Sequence, residues 1–238
     1  CNGVTCIIDA SSISGSSGEQ GGTITINDSK ACTITNTEVT GNIAPRYGTI
    51  TFTGSCSECI IREGAVIKNE NSGSYCVKVT GNYNVKITVK KGATLTANAG
   101  NGFIMNNEYK NLAVNIEGGT FNGCLRLPDN SQIAEGTFTP ASASGNAIWV
   151  NNSNKTLQDL LKVGYTLKYE GGTYADLTAR RTDEGRKVTA VKSPLYFTTH
   201  PTIVSGAEIV MENYTVSEAP ELTVKAESGS DSISYQWY

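Results

Sequence analysis

A short phrase recurs along this chain and constrains its fold more than any other feature. A glycine is followed by Thr or Ala and then by alternating apolar residues. The copies begin at Gly22 (GTITI), Gly48 (GTITF), Gly64 (GAVIK), Gly92 (GATLT), Gly119 (GTFNG) and Gly136 (GTFTP). A second ladder runs in step with the first: TCIIDA around Cys6, ACTITN at Cys32, ECIIRE at Cys59, YCVKVT at Cys76, GFIMNN at Phe103, GCLRLP at Cys124 and NAIWVN at Ala147. From Cys32 onward each member lies 10 to 12 residues after a Gly-led strand, except Cys124, which follows Gly119 by 5. Two strands at a near-constant offset predict coils of the form strand, turn, strand, turn. No such coil buries its own apolar face, so stacking must supply the core. The expected fold is all-β, a parallel β-helix over residues 1–154, with each ladder stacked on its own kind.

Composition agrees and excludes the alternatives. Of 238 residues only 17% are charged, and 25 are Gly. With Thr, Asn and Ser also abundant, helix propensity is low and turns are easily made. A helical bundle is excluded. A net charge of −3 offers no basic footprint for nucleic acid. No apolar run approaches the ~18 residues of a spanning helix, so no transmembrane segment is expected.

The pattern changes after Asn154. Leu157, Leu160 and Leu161 share one face of a short helix expected over 156–162, which Asn154 or Thr156 would cap. Strands follow around Tyr165–Tyr169, Thr173–Thr178 and Lys187–Lys192, with a turn at Thr182–Gly185. An exposed solenoid end needs a polar-faced cap, and residues 155–193 read as that helix-and-strand cap module. From Pro194, strands are expected at Leu195–His200, Leu222–Ala226 and Ile233–Tyr238, with Ile233, Tyr235 and Trp237 on one face. The Pro194…His200-Pro201 opening and the YQWY ending resemble the first half of a bacterial immunoglobulin-like domain. The preceding run TLQDLLKVGYTLKYEGGTYADL, leading to VTAVKSP, is similar to a short module that precedes such domains in large Gram-positive surface proteins. The resemblance covers roughly 156–238. It implies a partial immunoglobulin-like domain over 194–238, with Trp237 in the core between its two sheets. It also implies an adhesin-like protein that is secreted or held at the cell surface. The chain opens at Cys1 without a signal peptide and stops inside an expected strand, so both ends read as cut; a processed lipoprotein with its lipid on Cys1 is the alternative.

Seven cysteines invite a disulfide framework, yet the number is odd and the chain is not small. Cys56 and Cys59 form a lone CxxC, with no second pair and no nearby His for zinc and no helix start to stabilise a thiolate. The repeat phase favours buried, free, stacked thiols, with disulfides between rungs or between Cys1 and Cys6 as the alternative. One detail resists the two-ladder scheme. Ile8, Ile34 and Ile61 lie two residues after their Cys, whereas Val77/Val79 and Leu125/Leu127 lie one and three after theirs.

Parallel β-helices often carry polysaccharide lyases and hydrolases, which need clustered carboxylates and a strand-borne base. Here Asp9, Asp28 and Asp129 are widely separated. Arg46, Arg62 and Arg126 lack matching acids apart from Glu63, and the only His is His200. The expectation is no catalysis, no metal and no cofactor. For binding, the candidates are exposed aromatics: Tyr83 and Tyr109 in Asn-rich turns, and Trp149, turned outward if Ile148 and Val150 face the core. Phe103 and Tyr47 are weaker candidates. The cluster Lys86, Lys90 and Lys91 suits either an acidic polysaccharide or a solvated strand face. Three functions remain: a structural or adhesive surface module, a carbohydrate-binding module, and a β-helix polysaccharide lyase or hydrolase. The partners these imply are host or dietary glycans, or other surface proteins.

Overall fold

The computed structural model describes residues 3–14, 22–40, 48–69, 75–97, 103–106, 111–151 and 154–193. It also describes short strand pairs between 196 and 227. Residues 1–191 form one compact unit and 192–238 a second.

The first unit is a parallel β-solenoid, and its coils visit three faces rather than the expected two. The first face stacks Thr5–Asp9, Ala31–Thr35, Cys56–Ile61, Val85–Val89 and the opening halves of Leu112–Asn122 and Gln132–Thr139. The second stacks Ser12–Ile13, Glu38–Val39, Val66–Asn69, Thr94–Ala97 and the closing halves of the same two long strands. The third stacks Ile24–Ile26, Gly48–Phe52, Tyr75–Val79, Phe103–Asn106, Cys124–Leu127 and Ile148–Val150. Each sequence ladder therefore changes face midway. Cys6, Cys32 and Cys59 are stacked on the first face, but Cys76, Cys124 and Ala147 belong to the third. Gly22 and Gly48 lead third-face strands, while Gly64, Gly92, Gly119 and Gly136 lead into second-face strands. The phase conflict among the cysteines was this change of face.

The core is a set of columns running along the stack. One joins Ile8, Ile34, Ile61, Val89, Ile116 and Ile133 on the first face. Its counterpart on the second is Ile13, Val39, Ile67, Leu95, Phe121 and Phe138. On the third it is Ile24, Ile50, Val77, Met105, Leu125 and Ile148. Apart from the half-buried Ile8 and Ile13 at the first coil, all are buried in one cluster. Each contributes about 1.5–3 kcal/mol by leaving water. Phe121 and Phe138 stack with ring centroids 5.1 Å apart. The two groups of leading glycines serve different needs. Gly64 and Gly92 turn the corner between the first and second faces at φ of +72° and +84°. Gly48 instead lies within a strand, where a Cβ would stand 2.6 Å from the Ile50 carbonyl oxygen and 2.8 Å from the Lys78 nitrogen.

Residues 155–193 add to all three faces of the last coil. Leu161 bridges Ile133 on the first face, Val188–Lys192 pairs antiparallel with Gly136–Phe138 on the second, and Arg181 bridges Trp149 on the third. The helix, Leu157–Leu160, is shorter than expected because Leu161 is already extended for that pairing. Thr156 opens it, its N–H and hydroxyl both donating to Asp159 Oδ2 at 2.8 and 3.1 Å. These two bonds hold the Asp159 carboxyl below its ordinary range. Tyr165–Tyr169 forms the expected strand and joins Val188–Lys192. The strand expected at Thr173–Thr178 reduces to one bridge, Lys168 with Tyr174. The Thr178 N–H and hydroxyl fold back onto Asp176 Oδ1 instead, closing a turn.

In the second unit the described pairs are antiparallel: Tyr196–Phe197 with Ala226–Glu227, Thr202–Ile203 with Leu222–Thr223, and Ile209–Val210 with Thr215–Val216. Ile233, Tyr235, Trp237, Leu195 and His200 lie outside the described residues. No helix among those described is long and apolar enough to cross a membrane.

Candidate functional site

Trp149 sits at the centre of the most developed side-chain arrangement on the outside of the solenoid. Its neighbours Ile148 and Val150 are fully buried, so strand alternation turns the indole outward. Two arginines flank the ring. Arg126 pairs with Trp149 from the preceding coil, and Arg181 bridges it from the other side. Their guanidinium carbons lie 4.6 and 4.9 Å from the ring centroid. A sugar ring therefore cannot lie flat on the indole without displacing a guanidinium.

The cluster extends into the backbone. Arg126 Nε donates to Asn151 Oδ1 at 2.7 Å. Arg180 donates from Nη2 to the carbonyls of Val150 and Asn151, both at 3.4 Å, while its buried Nε has no partner. Thr182, itself buried, holds Arg180 and Arg181 in place. Its hydroxyl accepts from the N–H groups of Ala147 and Ile148 at 3.0 and 3.2 Å, and its carbonyl accepts from Asn146 at 2.6 Å. Three guanidiniums thus converge on Trp149 and Asn151.

The other expected site residues are not brought to this place. Tyr83 is 37% exposed, and its ring folds over its own turn, where a Cβ on Gly81 would meet Tyr83 Cε2 at 2.5 Å. Tyr109 and Tyr47 lie outside the described residues, as does the Phe103 side chain. The lysines are paired between coils: Lys86 with Glu58 at 3.0 Å, Lys90 with Glu117, and on another face Lys68 with Glu38 at 2.8 Å. Lys91 borders a cleft of about 300 Å³ shared with Glu117, Glu135, Lys162 and Tyr165, where both signs of charge are present.

Asp9, Asp28 and Asp129 are spread along the stack. Asp28 and Asp129 occupy the same corner of the coil, ahead of Ala31–Thr35 and Gln132–Thr139. Four rungs separate them, roughly 19 Å at strand spacing. Asp28 Oδ1 accepts the Ser55 N–H at 2.9 Å and Asp9 accepts from Asn36 at 3.3 Å, so both tie one coil to the next. Arg46 lies outside the described residues. Among the described residues no group of three or more His, Cys, Asp or Glu is placed to hold a metal.

Cys6 is disulfide-bonded, whereas Cys32, Cys56, Cys59, Cys76 and Cys124 are free and buried. Burial pushes the Cys56 and Cys124 thiols up to about 11 and the Cys76 thiol higher still. Cys76 donates to the Ile67 carbonyl at 3.3 Å. Cys32 and Cys59 are register partners with hydrogen-bonded sulfurs, which lowers the first and raises the second. These thiols pack the interior. Arg180 and Arg181 are site residues that sequence reasoning missed. Arg126 and Trp149 stand one coil apart in strands already aligned by Cys124 and Ala147, so their adjacency was available from the repeat.

No known protein family, no curated protein and no solved structure matches this chain.

Proposed function

We propose that this chain is a non-catalytic module of a large bacterial cell-surface protein, a rigid spacer that holds other domains outward and presents a flat side for adhesion. The observation that carries this reading is the use made of the acidic groups. Paired glycosidase carboxyls stand about 5–9.5 Å apart; Asp28 and Asp129 are separated by roughly twice that on the rung spacing, and of the register partners Glu117 and Glu135 the first is held by Lys90. Asp9 and Asp28 are occupied in joining coils, and the exposed lysines of the first face are occupied with glutamates. Residues 155–193 act as the cap, since they pair with each face of the last coil. The second unit is the beginning of an immunoglobulin-like domain, the reading drawn from the YQWY motif at Tyr235–Tyr238.

Incubation of the chain with acidic polysaccharides, followed by absorbance of unsaturated products and by reducing ends, tests the absence of catalysis. Neither signal should rise, and accumulation of either one would replace the spacer with a lyase or hydrolase. Antibodies to residues 1–191 should label intact producing cells; labelling only after lysis would contradict the surface location. A carbohydrate-binding role is the second reading, favoured by the arginines gathered at Trp149. For Tyr83, a glycan array read with and without Tyr83→Ala decides.

A further inference from the structure

Where the last coil of the first face meets residues 155–193, the surface opens into the cleft of about 300 Å³. A β-bulge lies in its floor. The register passes from Ile116–Ile133 directly to Glu117–Glu135, so Ala134 is an extra residue with no partner in the preceding coil. Ile116 and Ala134 are buried there, below the polar side chains that line the cleft. Beyond the bulge the chain returns only briefly. The Lys162 N–H donates to the Ile133 carbonyl at 2.8 Å, and the Tyr165 N–H turns back onto the Lys162 carbonyl at 3.0 Å. This turn brings Lys162 and the half-buried Tyr165 to the cleft beside Glu135.

The charges around this cleft are left open, unlike those on the rest of the face. Lys86 meets Glu58 and Lys90 meets Glu117 across adjacent rungs. Lys91, Lys162 and Glu135 line one cleft, yet among the described residues none of the three enters an ion pair or a side-chain hydrogen bond. With Glu117 neutralised by Lys90, two cations stand there against one carboxylate. A ligand that completes this set carries an anionic group for a lysine and hydroxyl donors for Glu135. Gln132 adds an amide, and the Tyr165 ring adds an apolar surface with a polar tip. The volume is at the low end of small-molecule sites, which run about 300–1,000 Å³, and suits a single sugar ring.

We propose that this cleft binds a hexuronic-acid residue of an acidic glycan, its carboxylate on Lys162, its hydroxyls donating to Glu135 and its ring against Tyr165. Lys91 extends the positive field along the rim. The inference rests on the carbohydrate-binding reading, to which it gives a ligand class and a site away from the indole that the arginines occupy.

Titration of the intact, isotope-labelled chain with methyl glucuronide, followed by amide chemical shifts, tests it, with methyl glucoside and glucosamine as neutral and cationic comparators. Saturable shifts at residues 115–117, 132–135 and 162–165 are expected with the glucuronide, and its affinity should fall as salt is added. Lys162→Ala and Glu135→Gln should each weaken binding about fivefold. Lys162→Arg, which keeps the charge, should restore most of it. Lys86→Ala, farther along the same face, should change nothing. Lys162 is exposed, so its variants carry the test even if Glu135→Gln disturbs the fold, which thermal melting reports. The absence of saturable shifts, shifts centred elsewhere, tighter binding of glucosamine, or an equal loss in Lys86→Ala would overturn the cleft. Equal affinity for the glucoside would overturn the acidic class. Binding on a glycan array that Lys162→Ala leaves unchanged would overturn the cleft while the carbohydrate-binding reading stands.

Discussion

The first and third faces of the solenoid are made by the same coils and close on the same core, yet their outer surfaces are finished in opposite ways. Outside the first face, lysine and glutamate from adjacent rungs neutralise one another. Outside the third, Arg126 and Arg181 flank the Trp149 indole. The inner columns show no such contrast, because Ile61, Ile67 and Val77 answer to the same requirement of burial. In a stack of this kind the interior fixes the register and the exterior is free to differ. The half-exposed ion pairs of the first face are worth about 0–1 kcal/mol each, so they keep that face neutral more than they stabilise it. The guanidiniums of Arg126 and Arg181 lie against the Trp149 ring, which sets the third face apart.

The largest expected effect tests whether the two faces share a core. Ile87 behind the first face and Leu125 behind the third are both fully buried, and changing either to Ala should lower stability by about 2–5 kcal/mol in urea unfolding. A loss below ~1 kcal/mol behind the third face would make it a loosely applied flank. Next comes the attachment of Arg180 and Arg181 to that face. Thr182→Val removes the acceptor used by two backbone N–H groups and should cost about 2 kcal/mol. A neutral result would mean that these arginines are held by something else. Smaller still is the indole stack, where Trp149→Ala should cost about 1–2 kcal/mol from two cation–π contacts. Smallest is Glu58→Gln on the first face, expected below ~1 kcal/mol and fading with added salt. If Glu58→Gln cost more than Trp149→Ala, the contrast between the faces would be reversed.

The parallel solenoid was legible because glycine and cysteine mark its strands, and Ile34 beside Ile61 follows from that spacing. The third face was not, for a physical reason. Its members and those of the first face both offer small buried positions, so Cys76 and Cys124 fell naturally into line with Cys32 and Cys59. The strands that would have exposed the error, Val85–Val89 and the Leu112–Ile116 stretch, begin with neither Gly nor Cys. The one legible sign was the shifted phase of Val77 and Leu125 relative to Ile34 and Ile61. At the candidate site, the outward turn of Trp149 followed from the alternation of Ile148 and Val150. Arg181 did not follow, because its place depends on a single bridge and on the buried hydroxyl of Thr182, which no periodicity announces.

Methyl–methyl nuclear Overhauser contacts in selectively labelled protein test the three-faced stack most directly. The register predicts that Ile61 is in contact with both Ile34 and Val89, and that Val77 is in contact with Ile50 and Met105. Contacts from Ile61 to Ile34 without any to Val89, or from Val77 to neither Ile50 nor Met105, would contradict the three faces and restore a two-strand coil.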